Sequence, residues 1–519
     1  MSHRFIYLFL LLGGGVLGVA CSSYTVLSEE IPPPGPLPET DTSFPEDHFS
    51  KTALAADLRF LASDELMGRK AGTVGNNVAA RYIAEQFRAA GVQQVEGAKD
   101  YFQPIPFTRT TPPAKGKLVL MDTTYMQGEE LLLLAGEGTF ETSAPVVFAG
   151  FGYEDADYDS IDASGKIVVT RAGSPADQGV QGAFRAIDHK RRLAAKQGAV
   201  AVIELYNNTF PWRDLVSVLG TPRFGLETPD PDEPTLPLAW LDDTTGTFRP
   251  RLQDAGLTKA LLISSGMHRE PAVSNNVVGM IEGSDPDLRD EFVVLMAHYD
   301  HIGAGMRNGP GASPADSIFN GARDNGMGVV AVMGAAKALA EQPPSRSVLL
   351  LALTAEEGGL LGSRYYVQNP LLPLDQMVFA LNIDGGGYSD ITIATVIGLG
   401  RTTADPLIRK GAEAYGLGVI PDPAPEQGLF DRSDNVNFAR KGIPAPTFSP
   451  GFRSFSDQGV ANYYHRPQDE AGDDFDYAYL KRFVQAYTHV ARLIANADER
   501  PRWQPHDKYS EAARGLYGE

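Results

Sequence analysis

Three strongly apolar segments in the second half of the chain constrain its fold more than any other feature. Residues 292–297, 347–353 and 377–383 have the length of a buried strand and lack the polar alternation of a strand with one face in water. Helical periodicity separates them at 328–339, and an amphipathic pattern follows at 480–494. Strands that alternate with helices predict an α/β sheet with helices on both faces, whose sites lie at the carboxyl ends of the strands.

Each of these apolar segments is followed by acidic residues or a histidine. A helix start and a later loop supply further acidic residues and a second histidine. The residues concerned are His298, Asp300, Asp324, Glu356, Glu357, Asp384 and His465. Carboxylates gathered at one sheet edge would repel one another unless cations neutralised them. Two histidines with several carboxylates suit zinc, with cobalt or manganese as substitutes.

Taken alone, each of these residues has an ordinary explanation, such as acids at a helix N-terminus or a turn at Asp324. Their order and spacing together resemble the M28 metallopeptidase family, the zinc aminopeptidases with a co-catalytic metal pair. The resemblance covers residues 53–496. It implies a zinc exopeptidase of the phosphorylase/hydrolase-like type, with a mixed, mostly parallel sheet flanked by helices and with two bound Zn²⁺ ions.

The resemblance implies which residues ligate the two ions. Asp324 would bridge both ions, and His298 and Asp384 would complete one site. Glu357 and His465 would complete the other site. All thiolate ligands are excluded on separate grounds, because the chain has one cysteine and it lies near the N-terminus.

The same resemblance assigns residues around the metals. Glu356 matches the general base, and Asp300 matches the acid that holds the ring of His298 in the tautomer needed for ligation. Asp434 and Tyr464 are expected near the substrate pocket. His301 is expected to be a loop residue or a neighbour of the ligands rather than a third histidine ligand.

Segments of the chain that contain no expected ligand also bear on the resemblance to the family. Residues 61–69 resemble its leader, whereas Arg323 stands where an acid is usual. Residues 116–273 read as short strands with one helix at 190–197 and resemble an inserted β-rich protease-associated (PA) domain. The predicted organisation is a signal peptide at 1–20, a lipidated Cys and Pro-rich tether at 21–50, the catalytic domain at 51–115 and 274–497, the insert at 116–273, and a tail at 498–519.

The N-terminal residues predict export and anchoring. Basic residues, an apolar run and small residues precede Cys21, the layout of a secretory signal. The position of Cys21 resembles a bacterial lipobox, although Gly18 stands where leucine is usual. We therefore expect a protein of the bacterial cell envelope that is attached to the membrane by a lipid on Cys21. The net charge of -20 argues against a nucleic-acid partner.

The sequence thus predicts a metallo-aminopeptidase that acts on peptides. A carboxypeptidase of the same fold remains open, because no motif identifies which peptide terminus is bound. A non-catalytic scaffold relative is the alternative outside enzymes, and the presence of all five ligand candidates and the base argues against it. Residue preference and oligomeric state do not follow from the sequence.

Overall fold

The computed structural model describes residues 49–208, 210–227, 235–254, 258–306 and 308–518. They form two compact units. The inserted unit is Pro106–Ala272, and the main unit consists of the described residues up to Ile105 together with those from Val273 onward. The insert was expected from residue 116, but a strand at Phe102–Thr111 already leads into it. The expected signal peptide, Cys21 and residues 22–48 of the tether lie outside the described residues.

The main unit is built on a mixed sheet whose centre is formed by the three predicted strands. Phe292–His298 lies between Ser347–Leu353 and Met377–Ile383 and runs parallel to both. The order continues beyond Met377–Ile383 with Thr447–Pro450, Ile393–Ile397 and Gly418–Pro421, and beyond Ser347–Leu353 with His268–Ile281, which adjoins Phe102–Thr111 and Gln93–Gln94. The mixed α/β fold expected from the sequence is therefore confirmed.

Four long helices of the main unit share one hydrophobic core with this sheet, namely Lys51–Leu61, Val74–Ala89, Met327–Glu341 and Tyr477–Ala495. The helix Met327–Glu341 is buried along almost its whole length because it is rich in alanine, valine and glycine. A Cβ on its Gly334 would lie 2.6 Å from a methyl group of Val484, so glycine permits the close approach of these two helices. Shorter helices follow at Leu361–Gln368, Asp405–Glu413, Asn435–Ala439, Gln458–Ala461 and Ser510–Tyr517.

The inserted unit contains an eight-stranded sheet, in the order Thr123–Met126, Gly116–Leu120, Lys259–Ser264, Phe140–Phe148, Ile167–Arg171, Ala201–Tyr206, Leu238–Asp242 and Leu131–Ala135. A further strand, Arg223–Leu226, pairs with residues 107–110. The core of the inserted unit is apolar and includes a buried ion pair, in which Lys190 Nζ donates to Glu204 Oε1 at 2.6 Å. The unit is rich in strands, as predicted.

The expected number of helices in the inserted unit needs correction. The described residues of the inserted unit form three helices where one was expected, at Val180–Lys196, Trp212–Leu219 and Phe248–Asp254. Polar residues and Gly182 weaken the apolar pattern at the start of the first. The C-terminal tail is ordered against the main unit, where buried Trp503 donates from Nε1 to Gly442 O at 2.9 Å. Within the described ranges, no helix combines the length and apolarity needed to cross a bilayer.

Candidate metal centre

The register of the central strands brings the predicted site residues to one edge of the sheet. Ala297 lies opposite Ala352 in one neighbouring strand and opposite Ile383 in the other. Because the three strands are parallel, the next residues of each strand emerge at the same level. His298 and Asp384 are therefore neighbours, and the turn that carries Glu356 and Glu357 begins beside them.

A first group of possible metal ligands consists of His298, Asp324 and Asp384. His298 Nε2 lies 3.4 Å from Asp324 Oδ1 and 3.3 Å from Asp384 Oδ1. The side chains of His298 and Asp324 are almost inaccessible to solvent, whereas that of Asp384 is 20% exposed. This group therefore retains an approach from solvent on the side of Asp384.

A second group contains His301, Glu357 and His465 and shares Asp324 with the first. His465 Nε2 lies 3.3 Å from Asp324 Oδ2 and 3.1 Å from Glu357 Oε2. His301 Nδ1 lies 2.8 Å from Glu357 Oε1. The two oxygens of Asp324 thus face different groups, one each. The structure adds His301 to the residues that the sequence placed in this group.

The spacing of these donor atoms fits zinc. Two atoms bound to one tetrahedral Zn²⁺ at about 2.1 Å lie about 3.4 Å apart. The contacts of His298 and His465 with the carboxylates, at 3.1 to 3.4 Å, have this separation. Imidazole and carboxylate are also the ligand types that zinc takes when no thiolate is present. The buried donors therefore fit the ions that the family resemblance implies.

The charges of the buried side chains also favour a bound cation at this centre. Burial by itself raises the pKa of Asp324, but the facing rings of His298 and His465 hold it well below its ordinary value. Burial lowers the pKa of His465, yet the carboxylates of Glu357 and Asp324 overcome this effect and raise it to about 10. Without metal, positive charge is therefore held on imidazole between the carboxylates, which is the place a metal ion would occupy.

Asp324 is positioned by Asp469, which the sequence analysis did not identify. Asp469 is fully buried and accepts hydrogen bonds from the backbone N–H groups of Arg323 (2.9 Å) and Asp324 (3.0 Å). The guanidinium of Arg323 also donates to Asp469, at 3.2 Å. Arg323, the departure from the family pattern, is therefore neutralised by Asp469 and takes no part in either group of ligands.

A second residue that was not singled out, Arg69 of the leader segment, fixes the segments around the site. Its buried guanidinium donates to the carbonyls of Tyr299 (2.7 Å) and Gly321 (2.9 Å), as well as to those of Leu61 and Asn320. Burial lowers the pKa of Arg69 to about 10, against the attraction of nearby carboxylates. The leader thus contributes a cation that ties the His298 loop to the Asp324 loop.

The structure places Asp300 differently from the expected contact. Its Oδ1 accepts from Glu356 N at 3.0 Å, and its Oδ2 accepts from Glu357 N at 3.4 Å. His298 Nδ1 lies 3.8 Å from this carboxylate but 3.2 Å from the backbone oxygen of Asp300. The carboxylate of Asp300 therefore orients the glutamate turn, and its main-chain carbonyl faces the His298 ring.

Glu356 belongs to neither group of ligands, although it is buried beside the first group. Burial raises the pKa of Glu356 well above its ordinary value, against the attraction of His298, and the charge of Asp384 raises it further. The preceding residue, Ala355, has a φ of 55°, a conformation that costs a non-glycine residue about 1–3 kcal/mol and is common at functional sites. The adjacent glutamates thus have different environments.

The two residues expected near the substrate pocket also lie close to the centre. Asp434 is fully buried and accepts from Ser363 Oγ through Oδ1 at 2.5 Å, while its Oδ2 has no hydrogen-bond partner. Burial raises the pKa of Asp434 to about 7. Tyr464 is half-buried, and its ring stacks on His465 with centroids 4.0 Å apart.

The chain is similar in sequence to known proteins. Residues 276–491 match the sequence profile of Peptidase family M28. Aminopeptidase YwaD of Bacillus subtilis (strain 168) is 26% identical over 364 residues, which cover 67% of this chain and 68% of that protein. A probable leucine aminopeptidase 2 of Aspergillus oryzae is 28% identical over 338 residues, which cover 62% of this chain and 60% of that protein.

Solved structures include one with the same fold. An aminopeptidase from Aneurinibacillus sp. strain AM-1 superimposes with a TM-score of 0.58 over 89% of this chain and 97% of that chain, at 20% identity. The matched segment and the similar proteins together support an M28 metallopeptidase, a peptide-bond hydrolase of the metallo-aminopeptidase type.

Proposed function

We propose that the protein is an exported di-zinc aminopeptidase that hydrolyses the N-terminal peptide bond of peptides. One observation carries the proposal: two groups of metal-ligand atoms share Asp324, and a buried glutamate that belongs to neither group lies beside them. The ligands would be His298 and Asp384 for one ion, Glu357 and His465 for the other, and Asp324 for both. When bound, the ions would polarise the peptide carbonyl and lower the pKa of the attacking water.

Glu356 would accept the proton of that water and return it to the departing amine. Burial raises the pKa of Glu356, and a neighbouring cation lowers it again. These opposing effects suit a group that takes up and releases a proton during the reaction. Asp300 would support both glutamates, because its carboxylate accepts the N–H groups of Glu356 and Glu357.

The substrate would bind next to the first group of ligands, where Asp384 is partly exposed. Tyr464 would form part of the pocket wall through its half-buried ring. Asp434 is too deeply buried to form an open surface, so we assign it a supporting position behind Glu356 and Asp384, whose charges influence each other.

A substrate panel tests which terminus is cleaved. Free-amine peptides and their N-acetylated counterparts are incubated with the zinc-loaded protein, and products are identified by mass spectrometry. We expect loss of the first residue from free-amine peptides only. Cleavage of both series from the C-terminus would instead establish a carboxypeptidase, and a zinc-loaded protein that cleaves neither would favour the scaffold.

We also propose that the protein is lipid-anchored at Cys21 in the bacterial cell envelope and that residues 116–273 are a PA-like insert. The support for the anchor is the sequence layout before Cys21. Metabolic labelling with a fatty acid tests it: wild type should incorporate the label, whereas a Cys21→Ala variant should not. Equal labelling of both proteins would contradict the anchor.

A further inference from the structure

His301 is a buried titratable residue beside the metal-ligand groups that the proposed mechanism leaves without a role. Its side chain is completely inaccessible to solvent, yet neither ring nitrogen has a hydrogen-bond partner. A buried polar group without a hydrogen-bond partner is destabilising, so native structures seldom contain one without a reason. The ring lies among Glu357, Asp324 and His465, where metal-ligand atoms converge.

The contact between His301 and Glu357 has the distance but not the geometry of a hydrogen bond. Nδ1 lies 2.8 Å from Glu357 Oε1, and both atoms nevertheless lack a hydrogen-bond partner. Nδ1 also lies 3.9 Å from Asp324 Oδ2. Both atoms belong to the set of possible ligand atoms of the second group, which all lie within 4.8 Å of one another. Imidazole nitrogen and carboxylate oxygen are both ligands that zinc takes in proteins.

The backbone around His301 holds the ring in this position. Gly321 has a φ of 61°, and a Cβ there would lie 2.7 Å from two carbon atoms of the His301 ring. Only glycine leaves space for the ring. On another side, the rings of His301 and His465 meet edge to face with centroids 5.6 Å apart. Packing therefore confines the plane of the ring, and in this position Nδ1 lies on the side of the second group.

We propose that His301 is a sixth protein ligand, which binds through Nδ1 the ion held by Glu357 and His465. The proposal rests on the metal pair of the proposed function. It makes the two sites unequal: one has donors from four residues, His301, Asp324, Glu357 and His465, and the other has donors from three, His298, Asp324 and Asp384.

This inequality assigns different tasks to the ions. A zinc site closed by four protein ligands is typical of a firmly held ion, whereas a site with three keeps a position for water or substrate. The open site is the one that contains Asp384, whose side chain is 20% exposed. The ion of the His301 site is thus the tighter one, and substrate meets the ion of the His298 site.

Zinc binding by metal-free protein tests the proposal without reference to activity. Wild type, His301→Gln and His298→Gln are titrated against a chromophoric zinc chelator, with His268→Gln as a control for removal of a histidine that is 71% exposed. Wild type and the control should bind two ions with unequal affinity. His301→Gln should weaken the tighter ion by more than the roughly 10- to 100-fold that follows loss of an outer hydrogen-bond partner. His298→Gln should weaken the other ion and leave the tighter one unchanged.

X-ray absorption at the zinc edge counts the ligands directly and does not depend on any variant folding. Wild type loaded with one equivalent of zinc should show two imidazole nitrogens, and His301→Gln should show one. A single imidazole in wild type, or unchanged affinity for the tighter ion in His301→Gln, would overturn the role of His301 and leave the metal pair intact. Wild-type protein that binds fewer than two ions would instead contradict the proposed function itself.

Discussion

Replacement of Asp469 by asparagine should have two separable effects, one on stability and one on metal binding. The buried carboxylate neutralises Arg323, and it also accepts the N–H groups of Arg323 and Asp324. An asparagine side chain would keep the volume but lose the charge and part of the acceptor capacity. The substitution therefore removes a counter-ion from a buried guanidinium and loosens the backbone that carries Asp324.

The loss of stability can be worked out from these contacts. An uncompensated buried charge costs about 3–5 kcal/mol. Arg323 keeps an ion pair with the exposed carboxylate of Asp474 at 3.7 Å, a hydrogen bond to Glu470 O at 3.3 Å and the face of the Tyr463 ring, so the lower limit applies. One lost backbone hydrogen bond adds about 1 kcal/mol. We expect the free energy of unfolding to fall by about 4 kcal/mol for Asp469→Asn, and by about 1–2 kcal/mol when Arg323→Met removes the buried guanidinium as well.

The zinc affinity of the single and double variants should not follow their stability. Because Asp324 N has lost its carboxylate partner in both variants, both should bind zinc about 10- to 100-fold more weakly. The double variant should therefore recover stability but not metal affinity. Recovery of both properties together would refute the idea that Asp469 positions Asp324. A single variant with wild-type stability would refute the idea that Asp469 neutralises Arg323.

Buried Trp503 allows the unfolding of the main unit to be followed alone. The chain has three tryptophans, and Trp212 and Trp240 belong to the inserted unit. With both of these replaced by phenylalanine in every protein compared, urea-induced changes in fluorescence report the segment in which Trp503 donates to Gly442. The free energies of unfolding obtained in this way are compared among the variants.

Three further predictions use other contacts. The Glu356→Gln variant should keep its zinc content and have a kcat at least about 100-fold below that of wild type. Kinetics and metal analysis are measured on the same sample, and retained turnover would exclude Glu356 as the base. In metal-free protein the pKa of His465 is raised to about 10 from 6.5. Protonated His465 therefore stabilises the fold fully below pH 6.5, and this contribution is lost as the pH rises through 10. Thermal unfolding in the presence of a chelator should show the decline, and a stability that rises over this pH range would contradict it. Gly334→Val should lower the free energy of unfolding by about 1–3 kcal/mol, because the new side chain meets Val484. The control Gly515→Ala lies in open space and should leave the free energy of unfolding unchanged or raise it. Equal free energies of unfolding for the two variants would contradict the close helix contact.

The sheet could be predicted from the sequence because its central strands are buried on both faces. Such strands appear as short apolar segments whatever surrounds them, so 347–353 and 377–383 have the observed bounds. The residues that follow these strands could be placed at one edge from the parallel order alone. Helix starts such as Val180 were harder, because glycine and polar residues obscure the periodicity there.

Residues that act through long-range contacts could not be found in this way. Arg69 meets its carbonyl partner Gly321 across 252 positions, and Asp469 meets Asp324 across 145. Neither residue has a local pattern that indicates its partner. His301 was noticed beside His298, but its ring direction depends on packing against Gly321, which spacing along the chain does not reveal.

The central claim is that two zinc ions share Asp324. Crystals of the zinc-loaded protein, measured on both sides of the zinc absorption edge, test it most directly. The account predicts two anomalous peaks about 3.5–4 Å apart, one beside His298 and Asp384 and one beside Glu357 and His465, with one oxygen of Asp324 directed to each. A single peak, or a pair of peaks that Asp324 does not contact, would contradict the account.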